Sequence, residues 1–400
     1  MLLTIVFILL AVSTILSIIL STIDGRKKRA LPAEKPFISF IIPSYNDANT
    51  LLGTIESINN SYPKEKSEIL IINDCSKDNT CDILKEIENK FENCRGETNS
   101  ENIGKSASIN KTFPKTKGEI IFMVDSDINL SENAINDILS RFRDEKVGGV
   151  SCRYKVKNKG FLPAMQELEY NMLGFTQSSY NLTSTVSMWG GCMAFKRQAF
   201  LDIGMLRTNF LSEDMDSALK LKEHGWRCEQ SNEYVLTSAP EKIGSWFRQK
   251  KRWSAGFIQN FIAHRRVFLK NPLAVTFYLA YSASAVLFLI ALISKTLLIG
   301  HWANLFLELR EVGYPLSQSI PYAIYFYSSV IMQKLLVLLA YPLFSIPYII
   351  YDTHWKLSWK YLLIIPYALI YYPMYMIMNL IGFGVGIAKY KKLKTGVRAW

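Results

Sequence analysis

The stretch Glu119–Asp127, "EIIFMVDSD", runs from five apolar residues straight into a pair of carboxylates. A continuous apolar run of this length, with no polar alternation, reads as a strand covered on both faces. The aspartates then mark the point where the chain leaves the sheet. Working outward, "FISFII" (37–42) is a second such strand, followed by the polar turn "PSYND" and a helix from about Thr50. "EILIIN" (68–73) is a third, ending in "DCSKDNT" and a helix through about Lys90, and "VGGVSCRY" (147–154) is a further strand. Ser131 is placed to cap the helix after the aspartate pair. Alternation of apolar strands with helices predicts an α/β domain on a parallel, doubly covered sheet. Ligands of such sheets bind beyond the carboxyl ends of the strands. Three strand ends deliver Tyr45, Asp47, Asp74, Asp125 and Asp127 to that edge. One aspartate there is ordinary turn chemistry; three loops converging with carboxylates point to a site.

The chemistry of each motif follows from its residues. The two carboxylates of Asp125-Ser-Asp127 suit a hard divalent cation, which in turn neutralises a diphosphate. "NIGKSASIN" (102–110) contains G-K-S, but the position five before Gly104 is Asn99 and not glycine, so the ATPase reading fails. What remains is Lys105 at a helix start, a point charge for a phosphate or a base. "LSEDMDSALKLKEHGW" (211–226) predicts a helix capped by Ser212 and stopped by Gly225. Glu213 and Asp214 in its first turn suit the helix dipole, and they also suit a general base that takes a hydroxyl proton. Because a helix N-terminus lowers a carboxylate pKa, such a base is expected to work through geometry more than basicity. In "SWFRQKKRWSAG" (245–256), Gln249, Arg252 and Trp253 share one helical face with Trp246. Arg248, Lys250 and Lys251 are expected to point away, toward lipid phosphates.

The ends of the chain are different. Residues 1–23 carry no charged side chain and are long enough to cross a bilayer. The basic cluster Arg26–Arg29 then places the N-terminus outside and the residues after the cluster in the cytosol. The expected organisation is a transmembrane helix (1–23), a cytosolic domain (31–240), interfacial helices (241–270), three to four spans within 272–388 (candidates 272–299, 319–351 and 358–388), and a basic tail (389–400). Gly382 and Gly386 form a GxxxG pattern suited to helix packing. The formal net charge of +12 is assigned to anionic lipid headgroups; no nucleic-acid motif accompanies it. Six cysteines without a CxxC pair read as reduced thiols.

Taken in order, these residues resemble the signature of the membrane-embedded family 2 glycosyltransferases, which include cellulose, chitin, hyaluronan and poly-N-acetylglucosamine synthases and ceramide-type glucosyltransferases. That signature, D, D, DxD, (T/S)ED, Q/RxxRW, stands here as Asp47, Asp74, Asp125-Ser-Asp127, Ser212-Glu213-Asp214 and Gln249-Lys-Lys-Arg252-Trp253. "WGGCMAFKRQAF" resembles the family's acceptor-side segment, and the likeness spans about residues 36–256. The resemblance implies a GT-A fold, a Rossmann-like nucleotide-sugar domain beside transmembrane helices. It also implies a nucleotide-diphosphate sugar, UDP-N-acetylglucosamine or UDP-glucose, used with Mg²⁺ or Mn²⁺. By the same resemblance Asp74 and Lys105 contact the base, and the Pro43–Asp47 loop with Tyr45 lies near the nucleotide. Asp125 meets the ribose or diphosphate and shares the metal with Asp127. Asp214, with Glu213 beside it, activates the acceptor hydroxyl for inverting attack. Gln249 and Arg252 hold the diphosphate, and Trp253 lines the acceptor channel. Three departures stand out: Asp47 where the family commonly has glutamate, Asp74 without a second aspartate beside it, and "GGC" in place of GSG or GNG. The expected product is a growing polysaccharide at the membrane; transfer of one sugar to a membrane lipid is the alternative, and an inactive scaffold a remote third.

Overall fold

The computed structural model describes residues 2–272, 274–276 and 359–393, with a few residues between 307 and 350. Two compact units are present: one comprises Leu16–Ala274 with the segment beginning at Ile381, the other Met1–Ile15 with Val275–Leu380.

The first unit is built on a seven-stranded sheet. Its strands are β1 (Ile38–Ser44), β2 (Ser67–Asn73), β3 (Cys94–Thr98), β4 (Ile120–Val124), β5 (Val147–Val156), β6 (Cys192–Lys196) and β7 (Arg227–Thr237), in the order β3-β2-β1-β4-β6-β5-β7. All seven β1 residues and all five β4 residues are buried, as strands covered on both faces require. Successive side chains alternate between two cores. Phe40 and Phe122 pack at 5.0 Å in one, with helices α2 (Leu51–Ser61), α3 (Thr80–Lys90) and α5 (Glu132–Arg141). Ile41, Ile121 and Met123 face the other, with α4 (Lys105–Thr112), α7 (Arg197–Asp202) and α8 (Glu213–Glu223). Ser131 caps α5 by accepting from Ala134 N, as expected.

The expectation of an all-parallel sheet is corrected. Strands β1, β2, β3 and β4 run parallel, but β6 runs antiparallel to both β4 and β5. The reversal matters for the site. Because Val124 pairs with Cys192, the glycines preceding β6 arrive at the carboxyl end of β4.

Helix α1 runs Leu2–Arg26, so the helix outlasts the charge-free segment. From Leu16 onward its pattern is inverted: Ser17, Ser21 and Asp24 are buried while Ile19 and Ile23 are exposed. Asp24 accepts from Asn181, Asn232 and the fully buried Arg141, whose guanidinium also meets Asp137 and Glu229. The end of α1 is thereby part of the sheet domain, which begins before residue 31. Helices α6 (Phe161–Ser179), α9 (Ile243–Ala263) and α10 (Arg265–Leu269) complete this unit.

In the other unit, a 3₁₀ turn (Trp359–Leu363) and a wide turn (Tyr367–Tyr371) lead into α11 (Tyr372–Leu393). Among the described residues one helix, Tyr361–Tyr390, is long and apolar enough to cross a membrane. The expected spans 272–299 and 319–351 and the end of the basic tail lie almost entirely outside the described residues. The GxxxG expectation holds for the sheet unit: a Cβ on Gly386 would stand 2.6 Å from Ala255 O, and one on Gly382 2.5 Å from Ser254 Cβ. Only glycine lets this helix approach α9 so closely.

Candidate active site

Strand ends fix the first half of the site. The loop after β1 is a tight polar turn in which Asn46 takes a left-handed conformation (φ 58°). Asp47 turns inward on its own loop, accepting from Tyr45 N at 2.8 Å, while the Tyr45 ring is exposed and Pro43 is buried in β1. Asp74, at the end of β2, is buried and accepts from Asn99 Nδ2, Ile103 N and Gly104 N at 2.9, 2.9 and 2.7 Å. Its carboxylate thereby shapes the 99–104 loop. What it positions is Lys105, since Gly104 at φ +87° turns the chain into α4 just before it.

The second half comes from the antiparallel strand. Gly191 O accepts from Asp125 N at 2.8 Å, and Gly191 N and Cys192 N both donate to the Tyr154 hydroxyl at 2.6 and 3.1 Å. Gly190 N donates to Asp214 Oδ2 at 3.1 Å, and a Cβ at Gly190 would sit 3.0 Å from that oxygen. Lys105 closes the arrangement: its Nζ lies 2.7 Å from Asp125 Oδ1 and 3.4 Å from Glu213 Oε1, and donates to Gly190 O at 2.9 Å. Four separated segments therefore meet: Lys105, Asp125, Gly190 and Glu213–Asp214. Asp127 accepts through Oδ2 from Thr237 Oγ1 and Ser238 N at 3.1 and 2.9 Å, and its charge acts on Asp125.

The two carboxylates of α8 are set apart electrically. Burial opposes charge on Glu213, but Lys105 and Arg252 hold it below the usual carboxylate range. Burial and the adjacent Glu213 push Asp214 up to about 6. This reverses the expectation of a dipole-lowered base: loss of water and a like charge outweigh the helix N-terminus. Asp214 is poised to take a proton near neutral pH.

Helix α9 is clasped to the same turn. Arg252 donates to Leu211 O at 3.2 Å, Asn260 to Ser212 O at 2.9 Å, and Gln259 accepts from Leu211 N at 3.2 Å. His264, just beyond α9, bridges Asp216 and Glu223 at 2.8 Å each. The Ser212 side chain makes no cap bond; its hydroxyl faces Gly256, where a Cβ would stand 2.1 Å from Oγ and 3.0 Å from the backbone nitrogen. Gly256→Ala is expected to destabilise the protein by about 1–3 kcal/mol, read as a lower Tm. An unchanged Tm would show that the turn yields freely.

Lys250 corrects a further expectation. It is fully buried, paired with Glu169 at 2.8 Å, with its ammonium 4.0 Å from the Trp253 ring and 5.1 Å from Tyr170. Arg248 and Lys251 are exposed, and so is Arg252. Trp246 is fully buried. Trp246, Lys250 and Trp253 lie at i, i+4 and i+7, so one inward stripe contains them all. Trp253 joins Tyr170 (6.0 Å), Trp189 and Tyr154 in an aromatic cluster that ends at the glycine pair. Gln249 lies beside Tyr170. The motif reading missed Tyr154, Tyr170, Trp189 and Glu169; the one available signal was the tryptophan directly preceding "GGC".

Residues 39–204 match the model of glycosyl transferase family 2. The chain is 28% identical over 224 residues to the poly-beta-1,6-N-acetyl-D-glucosamine synthase of Staphylococcus aureus (strain MSSA476), covering 55% of this chain and 54% of the relative. It is 28% identical over 225 residues to the synthase of the same name from Staphylococcus epidermidis, with the same coverage. The chain thus spans about half the length of the curated relatives it matches. Among solved structures, the mannosyltransferase PcManGT from Pyrobaculum calidifontis, in complex with GDP-Man and Mn²⁺, is similar over 97% of this chain and 99% of that one, with a TM-score of 0.61 at 15% identity. At that identity the likeness speaks for the fold.

Proposed function

We propose, from the match of residues 39–204 to glycosyl transferase family 2 and from the GT-A fold, that the chain transfers a hexose or N-acetylhexosamine from a nucleotide-diphosphate sugar to a growing glycan at a membrane. One observation carries the reading: Asp214, raised to about 6, lies on the Gly190 amide beside Lys105 and the Asp125–Asp127 pair. The names of the relatives favour N-acetylglucosamine as the sugar, and a UDP carrier follows from the motif resemblance.

Among the described residues no group of three or more His, Cys, Asp or Glu converges to hold an ion. The carboxylates of Asp125 and Asp127 at one strand end are the donors available, and this fits Mg²⁺ or Mn²⁺ bound through one or two carboxylates plus substrate phosphates. Such an ion would neutralise the diphosphate as it leaves. The protein's own residues do the rest. Asp214 accepts the proton of the acceptor hydroxyl as its oxygen bonds to the anomeric carbon. The bond from that carbon to the diphosphate breaks on the opposite face, giving inversion. Arg252 and Gln249 hold the leaving charge, a contribution largest in the transition state. Trp253, in its aromatic cluster, offers an apolar face to the acceptor.

Membrane association is supported by the apolar helix Tyr361–Tyr390 and by the exposed isoleucines of α1 next to Arg26, Lys27 and Lys28. On this reading the sheet domain is cytosolic, and Arg248 and Lys251 meet lipid headgroups. Sizing the product from radiolabelled donor tests the acceptor: a polymer supports the proposal, and a single-sugar glycolipid would replace it with lipid glycosylation.

The pH dependence follows from Asp214. Its deprotonated form is the active one, so kcat is expected to climb through about pH 6 and level off above it. Glu213→Gln removes the like charge and should move that rising limb to lower pH. A limb that stays in place would separate Glu213 from the base.

A further inference from the structure

Lys105 makes contacts that a metal ion would be expected to make. Its ammonium touches Asp125 at the end of β4, Glu213 in the first turn of α8 and Gly190 O in the loop before β6. Gly190 in turn donates to Asp214. The lysine is tethered where it stands, because the two amides before it, Ile103 and Gly104, are bonded to buried Asp74. Two carboxylates within reach of one ammonium disfavour each other's charge, and the cation between them offsets that; a compact ammonium on a flexible stem is the side chain suited to giving way.

We propose that Lys105 is the resident counter-ion of the donor site, holding Asp125 and Glu213 until a nucleotide diphosphate arrives and thereby making divalent-metal binding depend on the donor. The inference rests on the glycosyl-transfer reading above. A metal arriving alone must displace an ammonium that has no new partner to go to. A metal arriving with a diphosphate brings phosphate oxygens, which give the displaced ammonium an anion within reach. The displacement also frees Gly190 O and Glu213, the two neighbours of the base. Filling the donor side thus reaches the acceptor side through one side chain.

The test is Mn²⁺ binding to the full chain in detergent, followed by the loss of the free-ion EPR signal, with and without UDP. Wild type is expected to bind Mn²⁺ weakly alone and more tightly with UDP. Lys105→Met should bind Mn²⁺ alone at least about 10-fold more tightly than wild type, about 1.4 kcal/mol, and lose most of the effect of UDP. Lys105→Arg, which keeps the charge, should stay close to wild type. Lys105→Gln carries the same expectation as the methionine variant should that one fail to fold. If UDP still promotes Mn²⁺ binding but neither neutral variant gains affinity for Mn²⁺ alone, the counter-ion role is wrong and the transfer reading stands. If no form binds Mn²⁺ under either condition, the counter-ion role and the metal of the transfer reading fall together.

Discussion

Asp214→Asn should lower the turnover number by about 10³-fold while leaving the affinity for UDP near that of the wild type. The substitution keeps shape, and the asparagine oxygen can still accept from Gly190 N, so the loop before β6 has no reason to move. What is lost is the proton acceptor. A thousandfold corresponds to about 4 kcal/mol in the barrier, within the range of a positioned general base. The residue is distinguished from its neighbours by direction: Lys105 and Arg252 hold Glu213 ionised and low, whereas burial and Glu213 lift Asp214 to about 6. Two carboxylates whose environments drive them apart are assigned different tasks. On the proposed function, Glu213 is the anchor for Lys105 and Asp214 is the base. Steady-state kinetics together with UDP binding decide the matter. Equal loss of turnover and nucleotide affinity would make Asp214 a structural residue.

The second large effect is on stability. Glu169→Gln should destabilise the protein by about 3–5 kcal/mol, seen as a Tm lower by roughly 10 °C. Lys250 has no exposure, and Glu169 is the carboxylate that pairs with it, at 2.8 Å. Removing this carboxylate takes away the ion pair that offsets the burial of the Lys250 charge. Burial already pulls Lys250 below its ordinary value, with Glu169 holding it up. Without Glu169 the folded state would shed that proton more readily than the unfolded chain. The unfolded state then binds more protons, so stability rises with pH, and the deficit of the variant should be smaller at pH 9 than at pH 6. The paired change Glu169→Leu with Lys250→Met should restore most of the loss, since similar apolar volume replaces both charges. Failure of the pair to recover would place the importance of these residues in shape and not in charge.

Much of this was legible in the sequence, for physical reasons that also explain the remainder. Strands β1, β2 and β4 announce themselves as unbroken apolar runs because both of their faces are buried. Their parallel alignment then places Asp47, Asp74 and Asp125 at one edge without further information. The direction of β6 was not legible: "CMAFK" is apolar in either orientation, and pairing is decided by its neighbours β4 and β5. Strand β3, "CRGET", is a polar edge strand with little pattern to detect. Lys250 was misplaced because a cation in a basic run was assumed to seek water or lipid, although its spacing from Trp246 and Trp253 already put it on the inward stripe. The charge of Asp214 was misjudged because the helix dipole is visible in sequence and burial beside Glu213 is not. Asp74 is the subtler case. Its place at the strand end is legible, but only the structure shows its carboxylate holding the loop that aims Lys105.

On the proposed function, Lys105, Asp125, Gly190 and Glu213–Asp214 converge to transfer a sugar from a nucleotide diphosphate. The most direct measurement tracks nucleoside diphosphate release and sugar incorporation by the purified chain in lipid nanodiscs, with Mn²⁺ and a panel of UDP-N-acetylglucosamine, UDP-glucose and GDP-mannose. Release is expected from one of the UDP-sugars, matched mole for mole by sugar joined to an acceptor. Absence of turnover with every donor, or release that delivers sugar only to water, would contradict it.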